Sequence, residues 1–396
     1  MILQNFARFP HLSSGVKKHL ILNVACVYQG VLPFHIKSMN RNYTTKGDSP
    51  DMEDRRNRPC KQFTTIGKML NSITNKTFAG ANKVSIIGLD DIGTSTVMAL
   101  LTQNVTDNIC MIDLNEDLLK GEHLDIQYSA LFLNNPSIVA SKDPCATRDS
   151  KVCVVTTGTF KGREEDEPQY IARNAAIIRA IVPTLVKHSP NAIYIVASEP
   201  VDVLSFITWK LSGVPKNRVI GTGTMLDTAR FRYLLSDKLG IAPDFCQGVV
   251  IGQSGDRCVP VWSSVEIAGV RLKDLNPQIG NENDPEFWSE VHQEVVKTAE
   301  DLKQLKRNPC WSIALAVSRL CRAIFTNENT VIPVSTHAKS EHSIREDVFL
   351  SLPCVIGRAG VTDIVRQTLN ETESIQLRRC AENVAQMHEW ANKIVT

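Results

Sequence analysis

Val84-Ser85-Ile86-Ile87-Gly88-Leu89-Asp90-Asp91-Ile92-Gly93 decides how this chain folds. A short apolar strand runs into a glycine turn, and the residues after Gly93 read as a helix through about Leu101. The order strand, glycine turn, helix is that of the dinucleotide-binding pattern G-x-G-x-x-G. There the first glycine allows the tight turn, the second lets backbone approach a pyrophosphate, and the third lets helix and strand pack closely. Gly88 and Gly93 hold the first and third places, with Ile92 at the opening of the helix, and Asp90 holds the second. A carboxylate therefore stands where a phosphate belongs. The helix N-terminus favours an anion, while Asp90 and Asp91 oppose one.

Working outward, Asn108-Ile109-Cys110-Met111-Ile112-Asp113 reads as a second strand ending in an acid. Asp113 follows Gly93 at about the distance, roughly twenty residues, of the acid that binds the ribose hydroxyls of NAD. It would also repel the additional phosphate of NADP. Lys151 to Thr157 reads as a buried strand ending at Gly158, Tyr170 to His188 as a helix, and Ala192 to Ser198 and Arg218 to Gly221 as strands. Alternating strands and helices imply an α/β fold with a doubly wound parallel sheet of the Rossmann type. Ligands of such sheets bind beyond the carboxyl ends of the strands, so the loops after Ile87, Thr157 and Ser198 should line the site. Residues 82–225 are expected to form the dinucleotide-binding domain. Residues 226–396 are expected to form a mixed α+β substrate domain, with a helix near Trp311 to Phe325 packing back on the first.

Of the 396 residues, 43% are hydrophobic and 22% charged, with a net charge of +2. These are globular values and give no reason to expect a nucleic-acid partner. The eleven cysteines form no C-x-x-C pair or His/Cys cluster, which points to reduced thiols and no metal. No apolar run spans a bilayer, since Leu20 to Phe34 is short and broken by Asn23 and Gln29, so no membrane partner is expected. Residues 1–81 read as an extension. Met1 to Gly47 has no Asp or Glu but carries Arg8, Lys17, Lys18, Lys37, Arg41 and Lys46. That composition resembles a mitochondrial presequence and a matrix location; the competing reading is an untargeted extension on a cytoplasmic protein. Asp51 to Arg58 reads as a linker and Phe63 to Ile73 as a short helical arm.

Several further segments carry a resemblance. They are Asp113 to Glu122, Glu199-Pro200-Val201-Asp202, Val219-Ile220-Gly221 leading to Leu226 to Tyr233, Gly252-Gln253-Ser254-Gly255-Asp256, Val259 to Trp262, Pro333-Val334-Ser335 and Asp347 to Cys354. From about Asn82 to the C-terminus the chain resembles the lactate/malate dehydrogenase family, on its L-lactate dehydrogenase side. The resemblance implies an NAD-dependent oxidoreductase acting on a small 2-oxo or 2-hydroxy acid, in a homo- or hetero-oligomer. Enzymes of that family anchor the substrate carboxylate on an arginine. A histidine oriented by an aspartate protonates the oxygen, and a second arginine on a mobile loop polarises the carbonyl.

Carried over residue by residue, the resemblance puts Arg230 at the carboxylate anchor and Asp227 at the orienting aspartate. Ser254 stands at the histidine position, Glu167 at the loop arginine, and Glu199 at an asparagine before proline. Phe160 replaces another loop arginine, Pro309 a threonine, and Lys161 stands where lactate enzymes have glutamine and malate enzymes arginine. A hydroxyl cannot replace an imidazolium near neutral pH. Losing a general acid costs about 10²–10⁴ in rate, and losing a charged oxyanion stabiliser roughly 10²–10³. The expectation is a folded relative, impaired or inactive as a lactate dehydrogenase. Two other functions stay open. One is an active dehydrogenase for a dicarboxylate or an amino-acid-like substrate, with water or Glu167 carrying the proton; the other is a non-catalytic subunit. Local alternatives stay open too: Arg230 as a plain ion-pair partner of Asp227, Glu167 and Glu199 as solvated loop acids, Ser254 as a space filler, and His188 and His292 as solvated surface histidines.

Overall fold

Four buried residues, Val84–Ile87 (β1), form the first strand of a parallel sheet. The computed structural model describes residues 82–393 except 160, 162, 163, 307 and 308. The expected presequence, linker and arm, and Phe160, lie outside the described residues. Strand β1 pairs in parallel with β2 (Asn108–Ile112) on one side and β4 (Val152–Val155) on the other, Val84 lying opposite Ile109 and Val152. Further out are β3 (Ser137–Ser141), β5 (Ile193–Val196) and β6 (Val219–Gly221), giving the order β3-β2-β1-β4-β5-β6. This order reverses between β1 and β4, where a doubly wound sheet opens a ligand crevice. β1, β4 and β5 are buried at every position, as strands covered on both faces must be, which is why they read as near-continuous apolar runs, broken only by Ser85, whose hydroxyl is paired with that of Ser150.

The sheet does not stop at β6. The strand β12 (Thr330–His337) continues it antiparallel, followed by β13 (Phe349–Gly357), β8 (Val250–Gly252) and β9 (Cys258–Pro260), with β14 (Gly360–Ile364) also on β13. Eleven strands thus run through both halves. A small second sheet joins β7 (Cys246–Gln247), β10 (Glu266–Ile267) and β11 (Val270–Arg271).

Helix α1 (Asp91–Thr102) follows β1 and α2 (Glu116–Tyr128) follows β2. Helices α3 (Glu167–His188) and α4 (Val201–Ser212) follow β4 and β5, and α5 (Met225–Leu239) follows β6. The C-terminal half adds α6 (Ser289–Lys306), α7 (Cys310–Thr326) and α8 (Glu371–Lys393). Helix α7 lies along α1. Val97, Leu100 and Leu101 of α1 share a core with Ile313, Val317, Leu320 and Ile324 of α7. At about 1.5–3 kcal/mol per fully buried aliphatic side chain, this seam holds the first βαβ unit to the C-terminal half. The nine described cysteines are unpaired, and all except Cys145 are buried.

Candidate active site

The turn after β1 is built by contacts that leave no room for side chains. Gly88 has φ +102, and a Cβ there would lie 2.8 Å from the backbone of Thr157, just beyond β4. A Cβ on Gly93 would lie 1.9 Å from the Gly88 carbonyl oxygen. The first and third glycines therefore do what the dinucleotide pattern requires of them. Gly158 sits beside Asn174 Oδ1 and Ser198. Asp113 immediately follows β2, with Oδ2 accepting from the Leu89 N–H at 2.7 Å and Oδ1 from the Asn115 N–H at 2.8 Å. Its carboxylate is thereby locked at the rim of the turn. Ile92 is buried in the core, so only its backbone faces the turn.

Asp90 is the N-cap of α1, and its Oδ1 accepts from the Gly93 N–H at 3.0 Å. The residue at the second glycine position thus satisfies a donor that a pyrophosphate oxygen would otherwise take. Burial pushes its carboxyl above the ordinary range, against the pull of the Gly93 and Ile92 N–H groups, and Asp91 and Asp113 push the same way. The residues of this crevice fit a dinucleotide at the turn and at Gly158, with Asp113 at the acid position of the pattern. Asp90 is the misfit.

A second group of residues gathers at the start of α5. Asp227 is buried, and Ser254 Oγ donates to its Oδ2 at 2.8 Å. Arg230 Nη1 donates to its Oδ1 at 3.1 Å from a side chain only 16% exposed. The structure therefore joins three positions separated in sequence into one hydrogen-bonded set. Burial raises the Asp227 carboxyl above its usual range; the Ser254 hydroxyl and Arg230 oppose this, and the charge of Glu199 adds to it.

Glu199 follows β5, and its Oε2 lies 3.0 Å from Lys303 Nζ of α6. Burial acts to lower the Lys303 ammonium, but Glu199, Glu300 and Asp227 together outweigh it, so the group is held above the ordinary lysine range. With both side chains about half exposed (47% and 52%), the pair contributes at most about 1 kcal/mol. Sequence reasoning missed Lys303, because a lysine on an amphipathic helix reads as a solvated charge. Glu167 is the first residue of α3, after the N-cap Asp166, where an acid is stabilised by the helix dipole. It joins neither group. The missed Glu165 makes a two-pronged pair with Arg173, Oε1 and Oε2 each 2.8 Å from a guanidinium nitrogen. Arg173 Nε also donates to Thr159 Oγ1 at 2.7 Å, so Thr159 and Glu165 are both tied to α3. Lys161 is exposed. His292, expected in solvent, packs instead with Nε2 3.4 Å from Cys258 Sγ, and burial lowers its pKa. The inward face of α6 carries it, which the sequence pattern did not resolve.

Asp202 lies at the head of α4, buried, with Ser335 Oγ donating to it. Burial pushes its carboxyl up to about 7; the Ser335 hydroxyl and the Ser254 N–H favour the ionised form, and Asp227 opposes it. An unfolded aspartate ionises near 3.9, so the folded chain holds an additional proton between about pH 4 and 7 and loses stability as pH rises through that window. The whole effect is on the order of 4 kcal/mol. The Asp202→Asn variant is expected to melt above the parent by a margin that grows from about pH 5 to pH 8. A margin independent of pH in thermal melts would show that another group dominates.

Known proteins place this architecture. Residues 82–221 match the model for the lactate/malate dehydrogenase NAD binding domain, and residues 224–393 match that for the lactate/malate dehydrogenase alpha/beta C-terminal domain. The chain is 44% identical over 322 residues to the L-lactate dehydrogenase A chain of Danio rerio, covering 81% of this chain and 97% of that one. It is 45% identical over 303 residues to the L-lactate dehydrogenase of Petromyzon marinus and 43% identical over 303 residues to the L-lactate dehydrogenase B chain of Homo sapiens. Each of these alignments covers 76% of this chain and 91% of the relative. With the order β3-β2-β1-β4-β5-β6, both domain matches and the Gly88–Gly93 turn in agreement, the chain belongs to the lactate/malate dehydrogenase family of NAD-dependent oxidoreductases, with NAD as the cofactor of its first domain.

Proposed function

We propose that this chain keeps the L-lactate dehydrogenase architecture without its pyruvate/lactate turnover, and that it acts as a non-catalytic or weakly catalytic family member. The observation that carries the reading is the Ser254–Asp227 hydrogen bond at 2.8 Å. The partner of the buried aspartate is a hydroxyl whose proton already points at that aspartate. A serine hydroxyl does not titrate near neutral pH, so it hands no proton to a substrate oxygen in the way an imidazolium does. Glu167 places a negative charge at the position of the loop cation. When bound, NADH supplies a hydride; Arg230 supplies a carboxylate anchor, and Ser254 puts a hydroxyl where the family has its imidazolium proton donor. Purified protein with NADH and pyruvate is expected to turn over at less than about 10⁻⁴ of the rate of an L-lactate dehydrogenase relative measured beside it. A rate within tenfold of the relative's ends the proposal.

The same reading includes a weakened cofactor site. With Asp90 on the Gly93 N–H, a pyrophosphate must displace a carboxylate and then lie beside it. The Asp90→Gly variant is expected to bind NADH at least about tenfold more tightly in fluorescence titration, since a single like-charge contact near a surface costs more than that factor. Equal affinities would show that Asp90 moves aside without cost.

A subunit role has its own support. Leu114, Leu118, Leu124, Tyr128, Leu131 and Phe132 are all exposed on and beside α2, the last two at 87% and 85%. An apolar face of this kind fits a protein partner, and a second copy or an active relative is the partner of choice. Light scattering of the purified chain, alone and mixed with a relative, tests it, and a strictly monomeric chain in both cases rejects it. The acid-free residues 1–47 support a mitochondrial matrix location over the cytoplasm. Import of a reporter carrying residues 1–60 checks that location, and a reporter that stays in the cytosol excludes it.

A further inference from the structure

The turn after β1 gathers acids where a dinucleotide brings further negative charge. Asp90 stands at the second glycine position, its Oδ1 accepting from the Gly93 N–H at 3.0 Å. Asp91 follows it as the first residue of α1 and is exposed. Asp113 reaches the same turn from the end of β2, where its Oδ2 accepts from the N–H of Leu89, the neighbour of Asp90, at 2.7 Å. On the β4 side stands Thr156, a hydroxyl that donates toward the Ile87 and Gly88 carbonyls and carries no charge. Among the described residues no cation offsets the acids at Asp90. The Asp90 carboxylate is thus an internal anion in the seat of an external one, capping the helix terminus that would otherwise hold a phosphate.

An ionised Asp90 and a phosphate compete for one donor and repel each other. Carboxylates crowded against like charge take up a proton rather than all stay ionised. Protonation reverses the part Asp90 plays: the repulsion goes, the Gly93 N–H is released, and the new O–H can donate to a phosphate oxygen. We propose that Asp90 is a proton-operated gate on the cofactor crevice, which admits the pyrophosphate of NAD together with a proton and opposes it when ionised. Burial and the neighbouring Asp91 and Asp113 already hold the free carboxyl above its ordinary range, and an arriving pyrophosphate raises it further. Because binding strengthens the hold on the proton, affinity is greatest on the acid side. It falls as pH rises, by at most about tenfold per pH unit. A glycine in this place has nothing to titrate. The inference rests on the proposed function in one respect, that the pyrophosphate lies at the Gly88–Gly93 turn.

The test is calorimetric titration of NAD into the full-length chain between about pH 5.5 and pH 8, in paired buffers of different ionisation heat, which counts the protons taken up. The parent is expected to bind NAD at least about tenfold more tightly near pH 5.5 than near pH 7.5, with uptake of about half a proton or more per NAD between them. Asp90→Asn keeps the helix cap, since asparagine serves there as well as aspartate, but it cannot titrate. Its affinity is expected to stay within about twofold over the same range, without the proton uptake. Four outcomes overturn the proposal: a parent affinity that does not change with pH, binding without proton uptake, the same pH response in Asp90→Asn, or no saturation of the parent even at the acid end. The Asp90→Gly variant separates this from the proposed function. A parent weaker than Asp90→Gly by one constant factor at every pH removes the gate and leaves the weakened cofactor site standing, whereas a parent equal to it throughout removes both.

Discussion

Pyruvate reduction by the combined Ser254→His, Glu167→Arg, Asp90→Gly variant is expected to exceed that of the unmodified chain by about 10⁴-fold or more, read as NADH absorbance. Each change addresses a separate defect. Histidine at 254 meets Asp227 where Ser254 Oγ now lies 2.8 Å from it, and provides a group that titrates near neutral pH. Arginine at 167 exchanges an acid for a cation at the head of α3, two residues after Glu165, which Arg173 holds. Glycine at 90 releases the Gly93 N–H. Groups that act as a unit are not additive, so the single variants are expected to gain little. The Glu199–Lys303 pair remains in the triple variant, which keeps its rate below that of a relative. A folded triple variant with no gain would mean that the lost turnover has another cause.

Arg230→Met is expected to destabilise the fold by about 3–5 kcal/mol, because it leaves the buried Asp227 carboxylate without its cation. The loss should be larger at pH 8 than at pH 5. With Arg230 gone, the Asp227 carboxyl rises further, and an acid raised in the folded state loses stability as pH increases. Adding Asp227→Asn should recover most of the loss, since an amide keeps an oxygen for Ser254 without the charge. Denaturant melts of the two single variants and the double variant measure this. A double variant no more stable than Arg230→Met alone would assign the loss to packing of the arginine stem.

Part of the site was readable without coordinates. Gly88, Gly93 and Asp113 form a short-range pattern in which backbone sterics dictate residue type. At Gly88 the φ of +102 excludes most side chains, and at Gly93 a carbonyl lies 1.9 Å from any Cβ. The grouping of Asp227, Arg230 and Ser254 followed from the family resemblance. What escaped were contacts whose partners are distant in sequence and unremarkable in type. Lys303 and Glu199 each look like solvated charges until α6 and the head of α4 are brought together. His292 looks exposed until β9 presents Cys258 to it. The role of Asp90 was half legible: its place in the motif showed that a phosphate would be opposed, and only the backbone showed that the carboxylate caps the helix.

The sequence by itself determined the class of fold and the dinucleotide-binding turn, because periodicity, turn glycines and motif spacing are local properties of the chain, and its resemblance to the family gave the list of exchanged residues. The tertiary structure alone decided which of those residues meet. Continuation of the sheet from β6 through β12 and β13 to β8 brings Ser254 to Asp227, and the return of α6 brings Lys303 to Glu199. Charges separated by tens of residues acquire their partners, and their altered proton affinities, only when packing removes the water between them.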